Sequence, residues 1–430
     1  MIKKKIIFWF RNDLRLHDQD MLKSLSGQGY SIIPFYCFDD RFFSETDIGF
    51  PRTGAFRLKF LLESLYTLKQ QLEDLGTGLI IRKGNTAEEL LKIHHQTGAK
   101  EIYAAREFAW EEKMIEQEIQ KTPQLNLSLH EANGLFKESE LPFDVDDLPD
   151  IFTQFRKKVE KKLNTINRID SVNAFQPLPS NLEVAGEITF ADFGLAEPDE
   201  DNRAAISFTG GEDAGLRRLN EYIWESGNIL TYKKTRNGLL GKDYSTKFSA
   251  WLADGSLSPK KVIAEVNRFE EEHKSNVSTY WVKFELLWRE YFRWIARKYG
   301  ARIFFRYGIK NERKNLRKDF SAFERWRLAK TNDDFVNANM QELLQTGYMS
   351  NRGRQNVASF LIKDLSVDWR WGATWFESQL IDYDVYSNWG NWMYVAGVGN
   401  DPRENRYFNT QKQAERYDAD GRYRKIWLKR

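Results

Sequence analysis

Charged, amide and indole side chains crowd together in DYDVYSNWGNW, residues 382–392. Asp382 and Asp384 lie two residues apart, and an asparagine and two tryptophans follow them. A packed core accepts the indoles but not unpaired carboxylates, whereas a solvated loop favours the opposite. The combination indicates a site that holds something large, flat and polar.

Three further stretches group polar side chains that could bind a ligand, although each also has an ordinary structural explanation. FELLWREYFRW places Glu285, Trp288 and Arg289 on one helical face, as would an intrahelical ion pair beside a core indole. GYMSNRGRQNVASFL surrounds Gly353 with an asparagine and two arginines, which also suits the exposed start of a helix. Residues 231–259 carry Ser and Thr hydroxyls and a lysine that could bind phosphate or simply cap a helix.

The C-terminal half combines positive charge with aromatic rings. Between residues 280 and 330 there are fifteen Lys or Arg and five Asp or Glu, although the whole chain carries only +3. Ten of the fourteen tryptophans lie at or beyond Trp281. This composition is typical of a surface for nucleic acid or another stacked anion, and a solvated basic face over an aromatic core is the alternative.

The single cysteine, Cys37, and the five histidines limit the possible chemistry. One thiol excludes an internal disulfide framework and a thiolate metal cage. No histidine follows His273, so we expect neither zinc hydrolysis nor Ser-His-Asp catalysis in the C-terminal half, and no metal site. The apolar run near the start is too short for a signal peptide and no run reaches membrane-span length, so we expect a cytoplasmic protein.

Hydrophobic periodicity divides the chain into three regions. Residues 1–135 alternate short apolar runs with helical spacing, which predicts a doubly wound parallel sheet. The first strand lacks a following G-x-G-x-x-G, so a standard dinucleotide crevice is poorly supported. Residues 136–208 predict a surface connector and residues 209–430 an all-α domain. The predicted strands are 5–10, 31–38, 78–84, 101–107 and 125–132, and the predicted helices between them are 56–75, 86–96 and 109–121.

Together with DWRWGATWFESQLIDYDVYSNWGNW, these stretches resemble the photolyase/cryptochrome family, and its DASH-type branch in particular. The similarity runs from WFRNDLRLHD through AGVGNDPRENRYFN to YDADGRYRKIW, with the motifs in family order over nearly the whole chain. The resemblance implies an α/β antenna-binding domain followed by a helical domain that binds FAD in a folded, U-shaped form.

The resemblance also implies the residues that hold FAD. Asp382 is expected to pair with Arg354 beside the flavin ring, because an unpaired buried carboxylate is costly. Asn388 matches the residue that faces flavin N5, where an amide accepts from N5–H and favours reduced flavin. Trp392 and Trp369 match the first two members of an electron-transfer chain to the surface. The other expected cofactor residues are Tyr232, Ser245, Thr246, Lys247, Phe248, Ser249, Glu285, Arg289, Asn351 and Asp384.

Repair members of this family flip a cyclobutane pyrimidine dimer into a pocket over the flavin, at least cost from single-stranded DNA. Glu285 matches the carboxyl that hydrogen-bonds the dimer, and Trp288 the indole that stacks on it. Gln355 and Tyr394 replace a methionine and a tryptophan of double-strand photolyases, which favours single-stranded substrates. Contacts to DNA phosphates are expected from Arg236, Arg352 and Arg406.

Other activities of the family are weighed by the same comparison. The segment REFAWEEKM resembles the one that holds a methenyltetrahydrofolate antenna, with Glu112 as the candidate, Glu111 as the near alternative, and a solvated helical glutamate as the ordinary explanation. The (6-4) photolyases of the family use active-site histidines in the helical domain, and no histidine follows His273, so the resemblance argues against (6-4) photolyase activity. The chain ends soon after the last motif, so tail-based signalling is not expected. We expect a monomer that binds single-stranded DNA and associates with the nucleoid, and a flavin photoreceptor or nucleic-acid-binding regulator is the alternative.

The chain departs from the family pattern at two places. Leu316 occupies the position of the third tryptophan of the chain, ten residues before Trp326. This predicts slower photoreduction or a detour through Trp371, Trp375 or a tyrosine. TNDDFVNANM, residues 331–340, lacks the usual Gly, Pro and Asp, which should reshape a surface loop near the same tryptophans.

Overall fold

A five-stranded parallel sheet forms the N-terminal part of the protein. The computed structural model describes residues 4–167, 169–172, 174–182, 186–403 and 406–428. The strands are β1 (Lys5–Trp9), β2 (Ser31–Asp39), β3 (Ile80–Gly84), β4 (Glu101–Ala105) and β5 (Asn126–His130). They pair in the order β3-β2-β1-β4-β5. Each begins within two residues of its predicted start.

Helices cover both faces of the sheet because the central strand is apolar on both faces. Ile6 and Phe8 of β1 pack with one helix pair, α1 (Asp20–Gly27) and α2 (Ala55–Asp74). Ile7 and Trp9 pack on the other face with α3 (Thr86–Thr97) and α4 (Trp110–Gln120). This alternation along one strand confirms the predicted doubly wound sheet.

The predicted connector contains a helix that the sequence analysis did not foresee. This helix, α5 (Phe152–Val159), buries Phe152 and Phe155 against Tyr291, with ring centroids 5.6 and 5.3 Å away. Its two turns lie among polar and proline-rich residues, so the helical period is too short to stand out. The domain boundaries at 135 and 208 remain predictions.

The C-terminal part is helical, as predicted. Within the described residues none of its helices, or of the preceding ones, is long and apolar enough to cross a membrane. Two helices of this part continue into π-helical turns, Glu221–Glu225 and Phe360–Asp364. The helices are α6 (Glu212–Asn220), α7 (Tyr232–Thr235), α8 (Ser249–Ala253), α9 (Pro259–Glu272), α10 (Val277–Tyr299), α11 (Phe320–Arg327), α12 (Asp334–Thr346), α13 (Asn351–Ser359), α14 (Trp369–Gln379), α15 (Val385–Ala396), α16 (Thr410–Tyr417) and α17 (Arg422–Leu428).

The altered segment 331–340 is mainly the start of α12 and not a surface loop. Asp333 caps this helix by accepting a hydrogen bond from the backbone N–H of Val336 at 2.9 Å. Phe335 and Val336 are buried, at 2% and 0% exposure. The substitutions therefore change a helix cap and its packing, because the first turn of α12 faces the core.

Helix α10 is the long central element of the helical part, and α15 crosses it closely. Asn276 caps α10 by accepting from the backbone N–H groups of Ser278 and Thr279. At the crossing, a Cβ added to Gly390 would lie 2.3 Å from Cδ1 of Phe292. Only a glycine permits this approach, which brings the polar residues of α15 next to those of α10.

Buried polar contacts join the sheet to the helical part. His17 Nδ1 lies 2.6 Å from Glu212 Oε1, and its Nε2 accepts from the backbone N–H of Ser258 at 3.0 Å. Arg15 donates to the backbone oxygen of Gly255 at 2.8 Å. These contacts orient the first helices of the C-terminal part against the residues that follow β1.

Candidate active site

Helices α7, α8, α10, α13, α14 and α15 surround a cavity of about 490 Å³. It unites most of the predicted cofactor and substrate residues, although they come from distant parts of the chain. Trp369 and Arg352 are not among its lining residues, and Glu112 lies on α4 beside the sheet. The predicted residues that line the cavity are Tyr232, Arg236, Ser245, Thr246, Lys247, Phe248, Ser249, Glu285, Trp288, Arg289, Asn351, Arg354, Gln355, Asp382, Asp384, Asn388, Trp392, Tyr394 and Arg406.

An ion pair and a helix cap order the acidic side of the cavity. Arg354 Nη2 donates to both carboxylate oxygens of Asp382, at 2.9 and 2.8 Å. Burial lowers the pKa of Arg354, but the charge and hydrogen bonds of Asp382 together with the nearby Tyr348 and Tyr244 more than offset this, so that the pKa is raised. Asp384 accepts from the backbone N–H of Ser387 at 2.7 Å and caps α15.

Several polar atoms of the cavity wall are free to bind a ligand. Asn388 donates its amide N–H to the backbone oxygen of Ala373 at 3.0 Å. Within the described part of the chain its Oδ1 has no protein donor, and the hydroxyls of Ser245, Thr246 and Ser249 have no partner. Asn388 is buried, Ser245 and Thr246 are half-buried and Ser249 is exposed, so all four groups are open to hydrogen bonds with a polar ligand in the cavity.

Lys247 lines the cavity in an unusual setting. It is 2% exposed and adopts a left-handed φ of 61°. Its ammonium lies 3.2 Å from the ring centroid of Tyr244 and 3.4 Å from the hydroxyl of Tyr348. Burial holds its pKa well below the usual range, although the carboxylate of Glu342 opposes this effect. The side chain is thus inserted between two tyrosines and does not project freely into the cavity.

Glu285 and Trp288 line the cavity together with Arg236. Trp288 stacks on Phe152, with ring centroids 3.7 Å apart, and meets Tyr394 edge-on at 5.8 Å. Glu285 forms a short ion pair with Arg236. Burial raises the pKa of Glu285, and the positive charge of Arg236 opposes the rise. The carboxyl group of Glu285 and the indole ring of Trp288 therefore lie side by side in the cavity wall.

The three arginines expected at the DNA backbone lie at the rim and contact other side chains. Arg352 donates to Gln355 at 2.9 Å and to Asn237 at 2.8 Å. Arg236 forms an ion pair with Glu285. Arg406 donates a hydrogen bond to the hydroxyl of Tyr394 and forms an ion pair with Asp401.

Comparison with known proteins assigns the chain to a family. Residues 6–180 match the family model described as DNA photolyase, and residues 281–430 match the FAD binding domain of DNA photolyase. The cryptochrome DASH of a Synechocystis species is 47% identical over 429 residues, covering 98% of this chain and 87% of that protein. The chain belongs to the photolyase/cryptochrome family. Its similarity to the cryptochrome DASH of Xenopus laevis, 46% identical over 98% of this chain and 82% of that protein, supports the DASH branch.

Solved structures of the family confirm the predicted architecture. The crystal structure of the cryptochrome from Synechocystis sp. PCC6803 has a TM-score of 0.94 and 45% identity, covering 100% of this chain and 89% of that one. A bacterial class III photolyase from Agrobacterium tumefaciens has a TM-score of 0.83 at 26% identity, covering 100% of this chain and 87% of that one. The α/β sheet followed by a helical FAD-binding domain is therefore the photolyase/cryptochrome fold.

FAD fits the cavity of this photolyase/cryptochrome family member. The unpartnered oxygen of Asn388 and the free hydroxyls at residues 245–249 suit a long ligand with hydrogen-bonding groups along its length. The Arg354–Asp382 pair supplies a fixed charged edge for a polar ring system. The match of residues 281–430 to the family's FAD-binding domain agrees with this fit.

The first residue of the expected tryptophan chain lies in a row of aromatic rings. Trp392 lines the cavity and meets Trp326 edge-on, with ring centroids 6.2 Å apart. Trp326 stacks with Phe323 at 6.0 Å, and Phe323 contacts the half-buried Trp371 at 5.5 Å. These rings form a continuous aromatic row from the cavity toward the surface.

The two other positions of the expected chain are buried. Trp369 is 0% exposed, packs on Trp389 with centroids 5.7 Å apart, and donates its indole N–H to the backbone oxygen of Arg306 at 3.0 Å. Leu316 is 8% exposed, so the missing indole is replaced by a packed aliphatic side chain.

The antenna candidate lies in a buried acidic cluster. Glu112 is 9% exposed, and its Oε2 has no hydrogen-bond partner among the described residues. Burial and the nearby Glu107 raise its pKa to about 8. The alternative of a solvated glutamate is therefore wrong for Glu112. Glu111, by contrast, is half-buried and pairs with Arg52 at 3.3 Å.

Sequence reasoning missed two aromatic contributors to the site. Trp281 lines the cavity and lies one helical turn before Glu285, so the i, i+4 spacing was the available signal. Phe152, which lies in the connector, stacks on Trp288, and no local sequence pattern predicted this contact.

Proposed function

We propose that this protein repairs cyclobutane pyrimidine dimers in DNA, preferentially in single strands, with blue light and FAD. The observation that carries the proposal is the placement of Glu285 and Trp288 in the same cavity as the Arg354–Asp382 pair and Asn388. A base-binding acid and a stacking surface thus share one enclosure with the residues that fit the cofactor. The chemistry that bound FAD would supply is light-driven transfer of one electron to the dimer, with return of the electron after the ring opens.

In this proposal, the chain's own residues bind and orient the substrate. Trp288 provides an aromatic face for one pyrimidine, and its own ring is held by Phe152. Glu285 hydrogen-bonds the polar edge of the dimer, and Tyr394 and Gln355 contribute polar walls. Correct positioning and stabilisation of developing negative charge are the main demands on such a site.

The preference for single strands depends on two free energies, the cost of extracting the dimer from the DNA and the affinity of the pocket for the flipped dimer. A flipped base must be unstacked, which costs a few kcal/mol in duplex DNA and less in a single strand. Polar side chains at Gln355 and Tyr394 hold a flipped dimer less strongly than apolar ones would. The proposed partner is therefore single-stranded DNA, bound by a monomer whose phosphate contacts come from the rim arginines. Within the same proposal, Glu112 is the residue that would hold a folate antenna, since its buried oxygen lacks a partner.

A repair assay tests the proposal. Purified protein with reduced FAD is illuminated with blue light beside a single-stranded thymine-dimer oligonucleotide, without oxygen, while the base absorbance is followed. Light-dependent recovery that is absent in the dark supports repair. No recovery from protein with bound, reduced FAD would overturn it.

One observation favours a second candidate function, a flavin photoreceptor with little repair activity. Leu316 interrupts the expected tryptophan chain, and a changed photoreduction path suits a light-responsive regulator. Failure of the repair assay together with light-dependent change in DNA binding would favour this candidate.

A further inference from the structure

Each rim arginine is already hydrogen-bonded to a side chain that lines the cavity. Arginine planes recognise phosphate and carboxylate with the same fork of N–H donors, so one guanidinium cannot serve both fully at once. The pairs are Arg236–Glu285, Arg352–Gln355 at 2.9 Å and Arg406–Tyr394 at 2.8 Å.

Two of these arginines differ in how firmly they are held. Arg406 forms a short ion pair with Asp401, whose side chain is 0% exposed, so a buried carboxylate anchors it. Arg236 has no carboxylate partner other than Glu285 within the described residues. It also stacks over Trp281, with 4.8 Å from Cζ to the ring centroid, and both members of the Arg236–Glu285 pair remain partly exposed.

We propose that Arg236 is shared between the pocket and the DNA backbone, so that a bound phosphate competes with Glu285 and releases its carboxyl group toward the base. The inference rests on the proposed function, because it requires single-stranded DNA at this cavity. Arg236 is then a positioning residue that acts through Glu285. Binding of the DNA backbone at the rim would therefore prepare the pocket for a flipped base.

The charge of Arg236 influences the protonation of Glu285 before and after a phosphate binds. In the free protein, the charge of Arg236 favours the ionised form of Glu285 and opposes the effect of burial on its pKa. A phosphate that draws Arg236 away removes this opposition, so Glu285 more readily takes a proton from solvent. A protonated carboxyl can donate a hydrogen bond to a pyrimidine carbonyl oxygen, which an ionised carboxylate cannot.

A double-mutant cycle on DNA affinity tests the competition in the dark. The probe is a fluorescein-labelled, undamaged oligothymidine, and its binding to the FAD-containing protein is measured by anisotropy over a range of salt concentrations. We expect Glu285→Gln to bind several-fold more tightly than wild type, because Arg236 is then free for phosphate. The slope of log affinity against log salt should steepen by about 0.7, the value for one additional phosphate contact on a single strand.

The Arg236→Gln background separates competition from a general loss of negative charge. In that background we expect Glu285→Gln to give no gain and no change of slope. Glu312→Gln, which removes an exposed carboxylate 2.8 Å from Lys314, measures the general charge effect. An unchanged flavin absorption spectrum shows that each variant is folded.

Two results would overturn the sharing of Arg236. One is an equal gain in affinity with and without Arg236, and the other is no gain beyond that of Glu312→Gln. Absence of oligothymidine binding by every variant would overturn it as well. Coupled binding without light-driven repair would instead contradict only the proposed function, so the two failures are distinguishable.

Discussion

Arg354 and Asp382 are 28 residues apart in sequence, yet two hydrogen bonds of 2.9 and 2.8 Å join them at the cavity wall. The Asp382 side chain is 1% exposed and that of Arg354 is 24% exposed. We expect Arg354→Met to leave a buried, unpaired carboxylate and to lower the free energy of unfolding by about 3–5 kcal/mol. Urea denaturation of the FAD-containing protein measures this loss, and the FAD content of the purified variant should fall with it.

Arg268→Met is the matched control for that variant. Arg268 pairs with Glu265 at 3.0 Å, but its side chain is 53% exposed, so we expect a change below about 1 kcal/mol. Equal effects of the two substitutions would contradict a special role for the Arg354–Asp382 pair.

Glu285→Ala should separate substrate binding from cofactor binding. Removing one partner of a buried hydrogen bond costs about 1–3 kcal/mol, so we expect affinity for a thymine-dimer oligonucleotide, measured relative to undamaged oligothymidine, to fall about tenfold. Repair yield should fall, while the flavin absorbance of the variant stays that of wild type. Unchanged repair yield would remove the assignment of Glu285 to the dimer.

Photoreduction should depend on the aromatic row that reaches Trp371. We expect Trp371→Phe to slow flavin photoreduction in flash spectroscopy with a thiol reductant present, because the row Trp392–Trp326–Phe323 ends beside it. Leu316→Trp should accelerate photoreduction, because it supplies the indole that the family resemblance leads us to expect at this position.

Trp224→Phe is the control for these tryptophan variants, since Trp224 packs on Phe269 away from the row. The decisive variant substitutes Trp371, Trp375 and the neighbouring tyrosines together. Photoreduction of this variant at the wild-type rate would contradict electron transfer through these residues.

Gly390→Ala should destabilise the protein through the close crossing of α15 and α10. The added Cβ would lie 2.3 Å from Cδ1 of Phe292, which forces the helices apart. Overpacking of this kind costs about 1–3 kcal/mol. Thermal unfolding should show a lower midpoint, accompanied by weaker FAD retention.

Gly27→Ala provides the comparison, because nothing lies within 4 Å of a Cβ at this helical glycine. There we expect a neutral or slightly stabilising effect, by up to about 1 kcal/mol, since alanine is the better helix former. A Gly390→Ala variant as stable as Gly27→Ala would show that the crossing can relax.

The stability of the N-terminal part should depend on pH through Glu112. Its pKa is raised to about 8 by burial and by Glu107, above the value near 4.5 of an unfolded chain. The folded state therefore binds the extra proton, so the stabilisation is complete below about pH 4.5 and is lost as pH rises toward 8. We expect urea midpoints to fall over this range, by the equivalent of on the order of 3–5 kcal/mol.

Glu112→Gln should abolish this part of the pH dependence, because the amide does not titrate. Glu118→Gln, at a partly exposed glutamate on the same helix, should leave the wild-type slope intact. An identical slope in wild type and Glu112→Gln would contradict the raised pKa of Glu112.

Periodicity located most of the regular structure because it is a local property of the chain. The strand KIIFW is apolar at every position after its lysine, as expected for a strand buried on both faces. Helix α5 was not predicted because its eight residues are too few for a helical period to be recognised among the polar residues around them. The segment 331–340 was expected to be a surface loop reshaped by the loss of the family's Gly, Pro and Asp, whereas Asp333 supplies a good cap for α12.

The sequence by itself determined the two-part architecture, the family and the set of residues that could form the site, since spacing and residue type are legible along the chain. Only the tertiary structure decided which of them touch. It paired Arg236 with Glu285, stacked Phe152 of the connector on Trp288, and inserted the Lys247 ammonium between two tyrosines. Contacts between residues far apart in sequence depend on how whole helices pack, and packing is set by side-chain volume across the entire core.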